Sequence, residues 1–183
     1  MKMVLLIFMA VILLGCSSLS NQTDQSVVDD HRRLPLAHAP LISTHMEYYF
    51  HPQSNPEKHL DIDRNLPLGK LQLFKANTSY AQRFFFITAG QDRYRIVKGQ
   101  QYSHLLVKTE NNTVIPYLSE DISNDAGLWQ IVPSGETGYY YIISDLNGKA
   151  LSVGKPENMN ESITLKELTG SADQKWQLSP VGN

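Results

Sequence analysis

Short segments with alternating apolar and polar residues follow one another from residue 41 to residue 183, and turn-forming residues separate them. The sequences Leu-Gln-Leu at 71–73 and Ile-Thr-Leu at 163–165 have the period of two that half-buried β-strands show. The run Tyr-Tyr-Tyr-Ile-Ile at 139–143 is aromatic and β-branched, which also favours a strand. Asn147 and Gly148 separate two such runs and predict a hairpin turn. The pattern therefore predicts an all-β fold.

Twelve strands are predicted in this way, four in each of three successive stretches. They cover residues 48–50, 59–62, 71–74 and 83–87, then 93–97, 104–108, 113–118 and 128–132, then 139–144, 150–153, 163–168 and 175–178. Four short strands cannot bury a face alone, so the three units are expected to close on one another around a shared core.

The three stretches repeat two independent markers at nearly the same interval. Each ends with an aromatic residue, and these residues are 45 and 47 positions apart: Phe84, Trp129 and Trp176. Each also contains an upstream apolar strand, and the first leucines of these strands are 45 and 46 positions apart: Leu60, Leu105 and Leu151. A period of this length indicates a supersecondary unit that is repeated to build one core.

The order Leu-Asp-Ile at 60–62, Leu-Gln-Leu-Phe at 71–74 and Gln-Arg-Phe at 82–84 resembles the repeat of the ricin-B-type lectins, which ends in Gln-x-Trp. Gln174 and Trp176 match that ending in the third repeat. The resemblance implies a β-trefoil, a six-stranded barrel capped by three hairpins with pseudo-threefold symmetry. It covers residues 41–183, with repeats at about 44–88, 89–133 and 134–180.

The resemblance also implies a carbohydrate site in the first repeat. Asp61 matches the aspartate that accepts hydrogen bonds from two sugar hydroxyls, and Phe74 matches the aromatic platform. Gln72 and Gln82 match the glutamines that complete the polar ring, whereas Ala81 replaces a common asparagine.

Structural roles are the alternative for each of these residues. Gln82 would then hold a turn, as would Gln174. Phe74 would cover the barrel rim, and Asp61 would be an exposed strand charge.

The other two repeats lack the aspartate. Leu106 occupies its position in the second repeat, where Tyr117 approximates the platform, and Gly127 replaces the glutamine. The third repeat has Ser152 for the aspartate and Lys166 near the aromatic position. At most one sugar site is therefore expected.

The first residues predict export and a lipid anchor. After Lys2, residues 4–14 form an apolar run of about eleven residues, which is short for a transmembrane helix and typical of a secretory signal. Leu-Leu-Gly-Cys at 13–16 resembles the bacterial lipobox, which implies cleavage after residue 15 and lipidation of Cys16. The alternative is an ordinary secretory signal with an incidental cysteine.

The position after the cysteine bears on localisation. In Gram-negative lipoproteins an aspartate there usually signals inner-membrane retention, so Ser17 favours the outer membrane. Residues 16–40 are rich in polar residues and are expected to form a flexible tether, which leaves residues 41–183 for one domain.

Several classes of function are disfavoured. The net charge of −2 and the lack of a basic cluster argue against nucleic acid as a partner. Six histidines are present, but their spacing does not place several on one strand face, so no metal site is expected. We expect no catalysis, because Asp61 and Asp63 are assigned to opposite faces of one strand and no other paired carboxylates or nucleophile setting is evident. No cofactor is expected.

The sequence thus predicts a non-catalytic lectin-like lipoprotein that binds glycans or glycoconjugates and reaches the membrane through its lipid. The alternative is a β-trefoil that binds a protein partner, for example a subunit similar to the lipidated cell-binding subunits of cytolethal distending toxins. The aromatic runs at 48–50 and 139–141 would supply a patch for such a partner.

Overall fold

The computed structural model describes residues 42–63, 70–90, 92–98, 103–110, 113–119, 125–157 and 160–182. All of them lie in the compact unit Leu36–Asn183. The predicted signal peptide, the tether and Cys16 lie outside the described residues. Among the residues described, no helix has the length and apolar character needed to cross a membrane.

The described residues form twelve strands, and each overlaps one of the twelve predicted from the sequence. They are β1 Glu47–Pro52, β2 Lys58–Asp63, β3 Lys70–Lys75, β4 Phe84–Thr88, β5 Arg93–Lys98, β6 Ser103–Glu110, β7 Thr113–Ser119, β8 Trp129–Pro133, β9 Tyr139–Ser144, β10 Ala150–Glu157, β11 Asn160–Lys166 and β12 Trp176–Pro180. Short 3-10 turns precede β4, β8 and β12, at Tyr80–Gln82, Asp125–Gly127 and Ala172–Gln174.

Six of the strands close into a barrel. β1 pairs with β4, β4 with β5, β5 with β8, β8 with β9, β9 with β12, and β12 returns to β1, all antiparallel. The pairing of β12 with β1 joins the first and last strands of the domain, from Tyr48 opposite Pro180 to Pro52 opposite Trp176. Closure removes the open edges that a flat sheet would present to other chains.

The other six strands form three hairpins, β2 with β3, β6 with β7 and β10 with β11. The hairpins contact one another through short pairings of β3 with β11 and of β3 with β7. A six-stranded barrel with three hairpins is the β-trefoil architecture, so the fold expected from the sequence is confirmed.

Equivalent residues of the three repeats form the core, as the period in the sequence indicates. The aromatic residues that begin the fourth strand of each repeat are fully buried: Phe84, Trp129 and Trp176. The leucines at the start of the hairpins are also fully buried: Leu60, Leu105 and Leu151. Equivalent positions on the first strands carry Phe50, Ile96 and Ile142, again with no exposure. Apolar residues recurring every 45 to 47 positions thus meet in one core.

Candidate functional site

The hairpin of β2 and β3 carries the residues predicted to bind sugar. Asp61 lies directly opposite Gln72, and His59 lies opposite Phe74. Opposed residues of an antiparallel pair share a face, and so do residues two positions apart on one strand. All four therefore lie on one face of the hairpin, while Leu60 and its neighbouring apolar residues face the core.

Asp61 and Gln72 are joined by a hydrogen bond, in which Gln72 Nε2 donates to Asp61 Oδ1 over 3.3 Å. Asp61 is only 5% exposed, and Gln72 is half-buried. Phe74 is 39% exposed and lies two positions from Gln72 on β3, a separation of about 7 Å. The hairpin thus brings together three of the four predicted residues: a carboxylate, an amide and an accessible ring.

Gln82 lies in the 3-10 turn before β4 and not on this face. The prediction that it completes a polar ring around a sugar is not supported by its position. Its side chain has no exposure. Its Oε1 accepts the backbone N–H of Asn77 over 3.0 Å and lies 3.0 Å from Nδ1 of His59. Its Nε2 donates to the carbonyl of Lys75, also over 3.0 Å. Gln82 therefore holds the loop after β3 in place against the hairpin.

Gln174 does the same in the third repeat. Its Oε1 accepts the backbone N–H groups of Thr169 and Gly170, over 2.7 and 3.2 Å. Its Nε2 donates to the carbonyl of Glu167 over 2.7 Å and to Ser152 Oγ over 3.1 Å. The two glutamines bond equivalent loop positions, because Lys75 and Glu167 correspond. Their shared contacts support the structural alternative raised from the sequence.

Strand register identifies the residues that replace the site in the other repeats. In the second repeat Leu106 has the position of Asp61, and Tyr117 lies opposite it, as Gln72 lies opposite Asp61. In the third repeat Ser152 has the position of Asp61, and Thr164 lies opposite it. Tyr117 therefore lies opposite the aspartate position, and not at the platform position predicted for it.

The equivalents of Phe74 are Ser119 and Lys166, which pair with His104 and Ala150. Ser152, at the aspartate position of the third repeat, is fully buried and donates to the carbonyl of Ala150. The register thus places no carboxylate at the position of Asp61 in either of the other two repeats.

Asp63 shares the face of Asp61, so the sequence-based placement of the two carboxylates on opposite faces is wrong. The pairing of β2 with β3 runs without a register shift and puts Asp63 opposite Lys70, next to the Asp61 and Gln72 pair. Side chains alternate along a strand, so residues two positions apart point the same way.

Histidines from two strands meet beside this face, which the spacing of histidines along the sequence did not predict. The rings of His51 on β1 and His59 on β2 are 4.2 Å apart, with their planes at 77°. The pKa of His59 is lowered to about 4, chiefly by burial and then by His51, while the hydrogen bond to Gln82 opposes the shift. Burial also lowers the pKa of His51. Within the described ranges, no group of three or more metal-ligating side chains is present.

The aromatic runs proposed for a protein partner consist of buried and half-buried residues. Tyr48 is 6% exposed and Phe50 is fully buried, because alternate residues of β1 face the core. Tyr139, Tyr140 and Tyr141 are half-buried. Among the residues that the structure describes, the large apolar side chains with high exposure are instead Phe74, Tyr80, Leu146 and Leu168. Tyr80 is 61% exposed, and the Arg83 guanidinium lies 4.6 Å from the centre of its ring.

Solved structures with the same fold match most of the described domain. The designed three-fold symmetric protein ThreeFoil is 19% identical, with a TM-score of 0.64 over 73% of this chain and 97% of that chain. The BEL β-trefoil is 14% identical, with a TM-score of 0.62 over 81% of this chain and 100% of that chain.

A chain of the Haemophilus ducreyi cytolethal distending toxin is 14% identical, with a TM-score of 0.60 over 81% of this chain and 92% of that chain. Longer chains match only in part, and this chain spans 18% of a mosquitocidal holotoxin. No protein-family model and no curated protein matches the sequence. At these identities the comparisons show the β-trefoil fold alone.

Proposed function

We propose that this protein is a non-catalytic, membrane-anchored lipoprotein whose β-trefoil binds carbohydrate through its first repeat. One observation carries the proposal: the first hairpin places Asp61, Gln72 and the exposed ring of Phe74 on one face. The register puts no carboxylate at the position of Asp61 in the other two hairpins. This absence supports a single sugar site, in the first repeat.

The arrangement suits the two surfaces of a sugar ring. Paired hydroxyls on the edge of the ring require acceptors such as the Asp61 carboxylate, and the Gln72 amide supplies both a donor and an acceptor. The C–H patch on one face of the ring requires an apolar plane, which Phe74 supplies. Because Asp61 is 5% exposed, we expect only the edge of its carboxylate to reach a ligand.

Such a shallow site is expected to bind weakly. A millimolar Kd corresponds to about −4 kcal/mol. Tethering many copies to a membrane through Cys16 would offset this weakness, because multivalent contact with a glycan surface raises the apparent affinity without any new contact. Anchoring in the outer membrane, as Ser17 favours, therefore fits a weak glycan binder.

Glycan retention by the full-length protein in detergent tests the proposal. We expect Asp61→Asn to abolish retention on immobilised sugars and to change the Tm little, because the amide has the same shape but lacks the charge. Phe74→Ala is expected to weaken retention by removing the apolar plane. Asp173→Asn, in the third repeat, is the control and should retain binding. Equal retention by wild type and Asp61→Asn, or no glycan bound by the wild type, would refute the proposal.

The second candidate is binding of a protein partner through the exposed apolar residues. Within the described ranges, four large apolar side chains are more than a third exposed: Phe74, Tyr80, Leu146 and Leu168. Three of them lie outside the proposed sugar site. This function predicts co-purification of one defined protein from the source cell, lost in Tyr80→Ser or Leu146→Ser and retained in Asp61→Asn. The opposite pattern of losses would favour the sugar site.

A further inference from the structure

Two histidines of the first repeat are packed against each other between β1 and β2. The ring centroid of His59 lies 4.2 Å from that of His51 and 4.9 Å from that of Tyr49. His59 is 5% exposed, and its Nδ1 lies 3.0 Å from the Gln82 Oε1. Because an amide oxygen only accepts hydrogen bonds, His59 donates this proton. The pair therefore joins β1, the β2 and β3 hairpin, and the glutamine that holds the following loop.

The pseudo-threefold symmetry supplies an internal comparison for this pair. His51 follows the core residue Phe50, and His59 precedes the core residue Leu60. Val97 and Ile143 have the position of His51 in the second and third repeats, and His104 and Ala150 have the position of His59. These residues lie opposite each other, Val97 opposite His104 and Ile143 opposite Ala150. The same backbone therefore accepts an aliphatic residue at the position of His51 and alanine at that of His59. The fold does not require two histidines here.

The pair also leaves a polar atom unsatisfied. His51 Nδ1 lies 3.4 Å from the carbonyl of Pro56, and its Nε2 is buried without a hydrogen-bond partner in the described part of the chain. A buried polar atom without a partner destabilises the folded state, because it has lost its hydrogen bonds to water. A valine, as at position 97, would avoid this cost.

In the described part of the chain, neither ring is hydrogen-bonded to a charged group. Charged and titratable groups lie on the segments packed around the pair: Glu47, Tyr49, Glu57, Lys58, Asp61, Asp63, Lys75, Tyr80, Arg83, Asp173 and Lys175. Among the described residues, the hydrogen bonds of the two rings go to Pro56 and Gln82, which are both uncharged. A proton added to either ring would place a charge in a poorly solvated position.

We propose that the His51 and His59 pair is an acid-sensitive element that loosens the first repeat below neutral pH. One added proton is disfavoured by burial, and a second would put two like charges about 4 Å apart. Separating the rings relieves both effects. The contact between β1 and the hairpin would open, and Gln82 would lose its bond to His59.

The sign of the pH effect follows from the direction of the pKa shifts. The pKa of His59 falls from 6.5 to about 4 in the folded protein, and that of His51 also falls, in both cases chiefly through burial. The unfolded chain therefore binds protons at a higher pH than the folded chain does. Stability is unaffected above pH 6.5 and decreases as the pH falls from there towards 4.

This element is independent of the proposed function, because it concerns only the stability of the first repeat. Asp61 and Gln72 lie on the same hairpin, so release of a bound sugar in acid would follow if that function holds. Acid release rests on the proposed function, whereas loosening does not.

Thermal unfolding of the full-length protein between pH 7.5 and pH 4.5 tests the proposal. The double variant His51→Val, His59→Ala copies residues that the other repeats already use. We expect the Tm of the wild type to fall by about 5 °C more than that of the variant over this range. His45→Ala removes an exposed histidine of the same repeat and should follow the wild type.

The wild type and the variants share their other acid-sensitive groups. Burial and Arg95 lower the pKa of His104, and the ion pairs with Lys175 and Arg93 lower those of Glu136 and Asp145. Their contributions cancel in the difference between the wild type and the variant. The same Tm change in both proteins would refute the proposal.

Two measurements on the wild type do not depend on whether the double variant folds. Hydrogen exchange, corrected for the intrinsic pH dependence of the rate, should rise at pH 4.5 in residues 47–63 and 70–82 more than in the third repeat. NMR titration should show that the pKa values of both rings lie below the ordinary histidine value of 6.5. Uniform exchange across the repeats, or both rings titrating near 6.5, would overturn the inference.

Discussion

Thr78 has a backbone φ of +56°, in the left-handed region that β-branched residues avoid. The equivalent position of the third repeat is Gly170, with a φ of +77°. The loop bonded by the repeat glutamine therefore requires this conformation in both repeats, and only the third meets it with glycine. The carbonyl of Thr78 accepts hydrogen bonds from Nε and Nη2 of Arg83, over 3.2 and 2.8 Å, which helps to hold the strained residue.

At this residue, Thr78→Gly should raise the free energy of unfolding by about 1 kcal/mol, because relief of strain outweighs the added freedom of the unfolded chain. The bonds from Arg83 go to the backbone and are retained. Chemical denaturation measures the change. Ser79→Gly is the matched control, and its φ of −66° predicts a loss of stability instead. A stability loss in Thr78→Gly equal to that in the control would contradict the prediction.

In the second and third repeats, a tryptophan at the start of the fourth strand is hydrogen-bonded to the hairpin of its repeat. In the second repeat Trp129 Nε1 donates to the carbonyl of Leu105 over 2.8 Å, and in the third Trp176 Nε1 donates to Leu151 over 2.9 Å. The first repeat has Phe84, which lacks the donor, and the ammonium of Lys98 lies 5.5 Å from the centre of its ring. The recurrent aromatic in the sequence is thus a core residue that also positions a hairpin strand.

For this element, Trp176→Phe is expected to lower the free energy of unfolding by about 2–4 kcal/mol, because it leaves a cavity and a buried carbonyl without its donor. Trp129→Phe should cost a similar amount. Urea denaturation at constant pH measures both. A cost below about 0.5 kcal/mol for either tryptophan would show that the bond to the hairpin contributes little.

At the scale of the whole domain, the three repeats are joined by barrel pairing and by ion pairs on the surface. Arg93 Nε lies 2.7 Å from Asp145 Oδ2, and Gln130 bonds the second oxygen of the same carboxylate. Lys175 and Gln53 both bond Glu136. Solvent screens pairs of this kind, so they help to define contacts between repeats more than they stabilise the domain.

Anchoring also concerns the whole protein, and Cys16 lies outside the described residues. Expressed in a Gram-negative host, Cys16→Ser should move the protein from the membrane to the soluble fraction, because no acyl chain can be attached. Ser17→Asp should shift the protein from the outer to the inner membrane. Unchanged fractionation of Cys16→Ser would favour an ordinary secretory signal.

Much of the fold was predictable, whereas the site was predictable only in part. Period-two alternation in segments such as 71–73 predicts strands, and the recurring aromatics predict three repeats. The grouping of Asp61, Gln72 and Phe74 followed from the resemblance, and the structure places them together. The burial of Gln82 depends on its contacts with His59 and with the loop after β3, and the position of Tyr117 depends on strand register. The sequence alone left both open.

The sequence by itself determined the strands, their threefold repetition and the chemical difference between the first repeat and the others, because these depend on residues close together along the chain. Only the tertiary structure decided that Gln82 is internal, that Thr78 is strained and that His51 meets His59. Those features arise where β1, the hairpin of β2 and β3 and the loop after β3 pack against one another within the first repeat. Local periodicity has no information about the partner across that contact.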